Sequence, residues 1–163
     1  MPKRISLTFT ENNTTAIAEL LENEAPKTCA AMWGALEKPA VNKAIHAMYA
    51  GRELIFGLPR ENQNFDAPAL PPENQIIIPM PGDICFAYFG PNELNNPGAG
   101  NKHEVGFFDF MVFYGRNARI FSSQGWLPSN LFARVVDNLP GFATMCTRVH
   151  REGVKELRVE RSS

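Results

Sequence analysis

The chain has few cysteines, no surplus of either charge and no long apolar run, and each shortage removes a class of function. Its 163 residues carry 16 Lys and Arg against 17 Asp and Glu, a formal net charge of −1, so nothing draws it bodily toward nucleic acid or anionic lipid. The densest basic group (Arg148, Arg151, Lys155, Arg158, Arg161) is interleaved with Glu152, Glu156 and Glu160 and reads as a solvated face. Cys29, Cys85 and Cys146 fall in no CxxC or Cys/His spacing, which fits a reducing compartment and supports no zinc site. No apolar run approaches the ~20 residues of a membrane span. The opening Met-Pro-Lys-Arg-Ile-Ser-Leu-Thr enters apolar alternation without an export segment. The expectation is a cytoplasmic protein with neither membrane nor nucleic acid as partner. Ser122-Ser123 lacks the G-x-S-x-G context of an activated serine. Gly98-Ala99-Gly100 follows a proline and opens no helix, so no phosphate loop is present. No cofactor and no metal are expected. Nothing marks a second domain, so residues 1–163 read as one.

What the chain does have is alternation. Ile5, Leu7 and Phe9 alternate with Arg4, Ser6, Thr8 and Thr10, the period of a half-buried strand. Glu11-Asn12-Asn13 is turn-like, since asparagine tolerates left-handed backbone. Residues 14–21 fit either a short helix or a hairpin partner strand. Pro26 reads as the N1 proline of a helix through Leu36, with Glu22 and Glu24 placed where its dipole favours acids. Strands are expected over 42–49 and 52–58, joined at Ala50-Gly51. Residues 59–81 hold six of the thirteen prolines, which bars central-strand pairing and makes 60–74 a surface insertion. Further strands are expected at 76–78 (buried), 84–89, 107–114, 131–136 and 154–159, with a long loop at 90–101. Residues 139–151 form a helix with Phe142, Met145, Cys146 and Val149 on one face. Many short strands, two helices and no βαβ alternation predict a mainly β, antiparallel closed barrel or sandwich.

Several segments then resemble a known family. Residues 15–28, ending Ala25-Pro26-Lys27-Thr28, resemble the cyclophilin strand that runs into an "A/V-P-K-T" helix opening. Trp126-Leu127 followed by Leu131-Phe132-Ala133-Arg134-Val135-Val136-Asp137 resembles the cyclophilin "W-L … F-G-K-V-V-E". The middle resembles the bacterial and archaeal cyclophilin-like proteins of unknown function. There Gly51-Arg52-Glu53-Leu54-Ile55-Phe56-Gly57-Leu58-Pro59 is similar to "G-x-E-I-Y-F-x-x-P", Pro81-Gly82-Asp83-Ile84 to "x-G-D-I", and Phe113-Tyr114-Gly115 to "F-F/Y-G". Asn130 resembles their approach to the last barrel strand. The resemblance implies a closed eight-stranded antiparallel barrel with two helices, and makes 15–21 a strand.

Prolyl isomerisation in cyclophilins takes an arginine that loosens amide resonance, the source of a barrier of about 18–20 kcal/mol, with a glutamine, a Trp and a His beside it. Trp126 matches the Trp. His46-Ala47-Met48 stands where the arginine would be, no Gln follows in 52–58, and the His would fall near Asn130.

The remaining candidates are polar residues stranded among apolar ones. Asp109 lies inside Phe107-Phe108-Asp109-Phe110-Met111. A carboxylate there must be paired, solvated or protonated, so it is either the partner of an arginine such as Arg134 or a pocket acid. Glu53 is a rim charge, an Arg52–Glu53 solvent pair or a ligand contact. His46 is a satisfied core group or a ligand contact. Trp126 is a packed aromatic or a pocket wall, and His103-Glu104 a strand-entry pair or part of a pocket mouth. Glu73-Asn74 is turn chemistry. Together His46, Arg52, Glu53, Asp109 and Trp126 make the candidate ligand-binding set. The leading expectation is a module that binds a small polar or amide-bearing ligand, or a partner segment, in a barrel-face pocket. The alternatives are a divergent prolyl isomerase and a non-catalytic subunit of a larger enzyme, and self-association stays open.

Overall fold

Alternation along the first strand sets the architecture: β1 (Arg4–Phe9) turns Ile5, Leu7 and Phe9 inward, all fully buried. In the computed structural model, which describes residues 2–91, 93 and 106–162, Asn13 at φ +59° turns the chain into β2 (Thr14–Leu20). There follow α1 (Pro26–Ala35), β3 (Ala40–His46), β4 (Glu53–Gly57), the short β5 (Gln75–Ile76), β6 (Asp83–Phe89) and β7 (Phe107–Phe113). A small hairpin, β8 (Phe121–Ser122) with β9 (Gly125–Trp126), precedes β10 (Ser129–Asp137), α2 (Leu139–Glu152) and β11 (Lys155–Ser162).

Pairing runs β2-β1-β11-β3-β4-β7-β6-β10, and β10 returns to β2. Eight antiparallel strands thus close on themselves, which leaves no unpaired barrel edge. Register shifts on β10, between Val135 and Asp137 toward β2 and between Leu131 and Ala133 toward β6, supply the local bends that closure needs. The interior mixes large and small: Phe56, Phe110 and Phe132 stack edge to face, while Ala16, Ala18, Ala40, Ala44 and Ala133 make room for them. α2 seals the cluster with Phe142, Met145, Cys146 and Val149, Phe142 lying 5.0 Å from Phe9 between ring centroids. α1 adds Cys29, Met32 and Ala35. The basic-acidic face at the end of the chain is indeed a lattice of ion pairs, with Arg148 and Lys155 both reaching Glu11 and Glu152.

The structure departs from the sequence expectations at several points. The link between β3 and β4 is longer than a tight turn, because β3 ends at His46 and leaves Met48 and Tyr49 exposed. Residues 60–74 are more than a surface insertion: Asn62 and Ala67 are buried and Phe65 packs on the core. Ile77 and Ile78 are exposed rather than buried, since only Gln75 and Ile76 pair with β10. The N-terminus of α1 is not served by Glu22 or Glu24. Glu73, 45 positions away, accepts hydrogen bonds from the Thr28 amide and hydroxyl, both at 2.8 Å, and from the Lys27 amide at 3.1 Å. Asn130 completes this buried joint, donating to Thr28 Oγ1 and to the Pro71 carbonyl while accepting from the Glu73 amide. Helix starts carry unpaired N–H groups, so one carboxylate pins the proline-rich segment to both α1 and β10.

Candidate functional site

The strands that read as unbroken apolar runs, β6 and β7, are covered on both faces. Phe108, Phe110 and Val112 point into the barrel, while Cys85, Ala87, Phe89, Met111 and Phe113 form a second cluster outside it, roofed by Ala118, Ile120 and Leu131. The period of two therefore puts Asp109 and Met111 on the outer face of β7. On β4 the inward pair is Leu54 and Phe56, fully buried, which turns Glu53, Ile55 and Gly57 outward.

A hollow of about 330 Å³ opens on this outer face. Ile55 and Met111, directly paired across β4 and β7, lie at its floor. Phe89 and Phe107, paired across β6 and β7, close one end, and Met48, Ile120, Phe121 and Leu127 contribute further wall. Into this apolar space come two acids. Glu53 is 4% exposed and Asp109 5%, so the reading of Glu53 as a rim charge or a solvent partner of Arg52 does not hold. Nor is Asp109 the partner of Arg134, whose Nε lies 2.8 Å from Asp83 Oδ1. Asp83 also accepts from the Met80 amide at 2.8 Å. Among the described residues neither Glu53 nor Asp109 joins an ion pair, and Asp109 Oδ1 is buried with no hydrogen-bond partner.

Burial pushes the Asp109 carboxyl up to about 7. It lifts Glu53 well above the usual carboxylate range, and the nearby Asp109 charge adds to the effect. Cys85, paired with Met111, is likewise raised, first by burial and then by the charges of Asp83, Glu53 and Asp109. Such a thiol is inert.

His46 reaches the same hollow from the end of β3. Its Nδ1 lies 2.8 Å from the Ala47 carbonyl and its Nε2 2.7 Å from the Tyr114 hydroxyl. The neutral ring satisfies both, Nδ1–H donating and Nε2 accepting; burial above all, with His150 nearby, lowers its pKa, and the Ala47 carbonyl opposes this. Arg52, just ahead of β4, points the other way. It lines a second, more open hollow of about 560 Å³ with Tyr114, Thr147, His150 and Arg151, which His46 also borders. Trp126 is 55% exposed and stands edge-on to Phe121 at 5.3 Å, outside the lining itself. The structure thus brings His46, Glu53 and Asp109 together, sends Arg52 to a neighbouring face and leaves Trp126 at the margin. His103 and Glu104 lie outside the described residues.

Sequence reasoning missed the floor and walls. Ile55 and Met111 stand two residues from Glu53 and Asp109, so the same alternation that singles out the acids could have named them. Among the described residues no three His, Cys, Asp or Glu are grouped to hold a metal ion, and no helix is long and apolar enough to cross a membrane.

A closed eight-stranded antiparallel barrel with two helices defines a cyclophilin-like fold. Residues 7–160 match the family described as "Protein of unknown function (DUF3830)", and the chain belongs to that family. No curated protein matches it significantly. Similar solved structures include McbB in complex with tryptophan, at 17% identity and a TM-score of 0.66 over 98% of this chain. The chain spans 45% of McbB. A hypothetical protein from Archaeoglobus fulgidus matches at 20% identity and a TM-score of 0.57, covering 99% of this chain and 95% of its own. The Mimivirus cyclophilin matches at 8% identity and 0.56, covering 98% and 87%.

Proposed function

We propose that the outer hollow binds a small molecule with an apolar body and an amide or amine group, setting the N–H of that group against Asp109. The carrying observation is Asp109 Oδ1, buried and without a donor among the described residues. An unsatisfied buried acceptor costs about 1–3 kcal/mol, a penalty that a bound N–H removes. The hollow's volume lies at the lower end of the roughly 300–1,000 Å³ of small-molecule sites, which likewise combine apolar walls with a few placed polar groups. McbB is solved in complex with tryptophan, an aromatic body carrying an amine and so a molecule of this make-up. Prolyl isomerisation gains no support from the lining, which among the described residues offers two carboxyls and neither arginine nor glutamine.

Titration calorimetry with tryptamine, phenylacetamide and phenylacetate tests the proposal. Tryptamine and phenylacetamide should bind and phenylacetate should not, because a third carboxylate would face two acids. Asp109→Ala should erase the preference. Equal binding of phenylacetate, or no binding of any of the three at millimolar concentration, would rule the reading out.

A further inference from the structure

We infer that Glu53 and Asp109 move protons on the bound ligand, one carboxylate taking a proton from it while the other, kept protonated, gives one back. This rests on the reading of the hollow as a small-molecule site and assigns that site an activity.

Geometry carries the inference. Both side chains are more than nine-tenths buried and open onto the same hollow from adjacent strands. In register they stand at opposite ends of the Ile55–Met111 rung, with Glu53 across from Phe113 and Asp109 across from Gly57. A ligand lying on that floor meets one acid at each end. Among the described residues the other titratable groups in the lining are His46 and Tyr49, with no Lys or Arg; His46 is already held between Ala47 and Tyr114. Beside Met111, on β6, Cys85 is buried and uncharged. Two carboxylates in an apolar site with no counter-ion among the described residues do not readily ionise together, so the pair divides into a base and an acid. The unpartnered Asp109 Oδ1 is free to make the transfer.

The chemistry that suits such a pair is tautomerisation. A C–H next to a carbonyl gives its proton to the ionised carboxylate, and its electron pair becomes the C=C bond. The C=O π pair takes a proton from the protonated partner. One proton is removed and one returned, the product is an isomer, and nothing is oxidised or reduced. The substrate class is a small apolar-bodied carbonyl compound, or the corresponding imine, with an acidic adjacent C–H.

The test uses phenylacetone in D₂O with the intact chain, following loss of the benzylic proton signal by NMR, with binding measured separately by calorimetry. The wild-type protein should exchange these protons about 10²-fold faster than Glu53→Gln or Asp109→Asn, the scale of one general acid or base. Binding without any acceleration over the two variants would overturn the proton-transfer inference and leave the binding site standing. No binding of phenylacetone while tryptamine binds would overturn the proton-transfer inference alone, and no binding of either would overturn both. A second readout needs no substrate: in protein labelled with ¹³C at its carboxyl carbons, Asp109→Asn should lower the titration midpoint of Glu53, which the Asp109 charge helps to raise. A Glu53 signal that titrates like an exposed carboxyl, unmoved by that substitution, would overturn the pairing itself.

Discussion

Glu53 and Asp109 sit on paired strands four residues apart in register and face one hollow, although 56 positions separate them along the chain. Among the described residues neither joins an ion pair, and their burial has a cost that depends on pH.

The first prediction concerns that dependence. Asp109 ionises near its ordinary value of 3.8 in the unfolded chain and near 7 in the folded one. Between those values the folded state binds more protons, so stability falls as pH rises through this window and levels off above it. Glu53, also raised by burial, acts in the same direction. Asp109→Asn should therefore be more stable than the wild type at about pH 8, with the advantage shrinking toward about pH 4. Urea unfolding across that range measures it, and an Asn variant no more stable at the alkaline end would contradict the assignment.

Glu73 works with the opposite sign. Although burial opposes it, the hydrogen bonds from Thr28 and Lys27 hold this carboxyl below its usual range. Its contribution is present above the unfolded value and lost as pH falls through the folded one. Glu73→Ala should cost about 1–2 kcal/mol, as removal of a helix cap does, and Glu73→Gln less. Thermal unfolding at neutral pH distinguishes them.

Arg134→Met would leave Asp83, 2% exposed, with only the Met80 amide for its charge. Because the Arg134 side chain is itself 51% exposed, the loss should be about 1–2 kcal/mol rather than that of a fully buried pair. Asp83→Asn in the same background should recover part of it. A double-mutant cycle gives the coupling.

Gly57 tests the wall of the hollow. A Cβ there would come within 2.7 Å of Phe107 Cε2, the far end of a side chain that can swing. Gly57→Ala should thus cost under about 1 kcal/mol in stability yet weaken tryptamine binding by displacing the ring. Unchanged binding in a folded variant would remove Phe107 from the ligand's surroundings.

Much of the barrel was legible because it follows local rules. The inward set Ile5, Leu7 and Phe9, the left-handed Asn13, Pro26 at the start of α1 and the stripe Phe142, Met145, Cys146 and Val149 all stand where alternation, turn chemistry and helical spacing place them. What escaped depends on distant parts of the chain. The helix start at Lys27 and Thr28 is capped from residue 73, and the apolar run at Ile76–Ile78 is half outside because β10 has a partner for Ile76 alone. The candidate site was partly readable: Asp109 stood out as a carboxyl among aromatics. That it meets Glu53 requires knowing that β4 and β7 are neighbours. The divergence of Arg52 from Glu53 likewise escaped, because β4 starts only at Glu53 and Arg52 lies in the bend before it.

The pairing of Arg4 with Ser162 has a mechanical consequence. With the first and last strands side by side and antiparallel, the two chain ends leave from the same end of the ladder. Tension across them would load its hydrogen bonds one rung after another, as in a zip, rather than all at once as in shear. Tethered at both ends and pulled, this barrel should therefore come apart gently, opening first along the seam between β1 and β11.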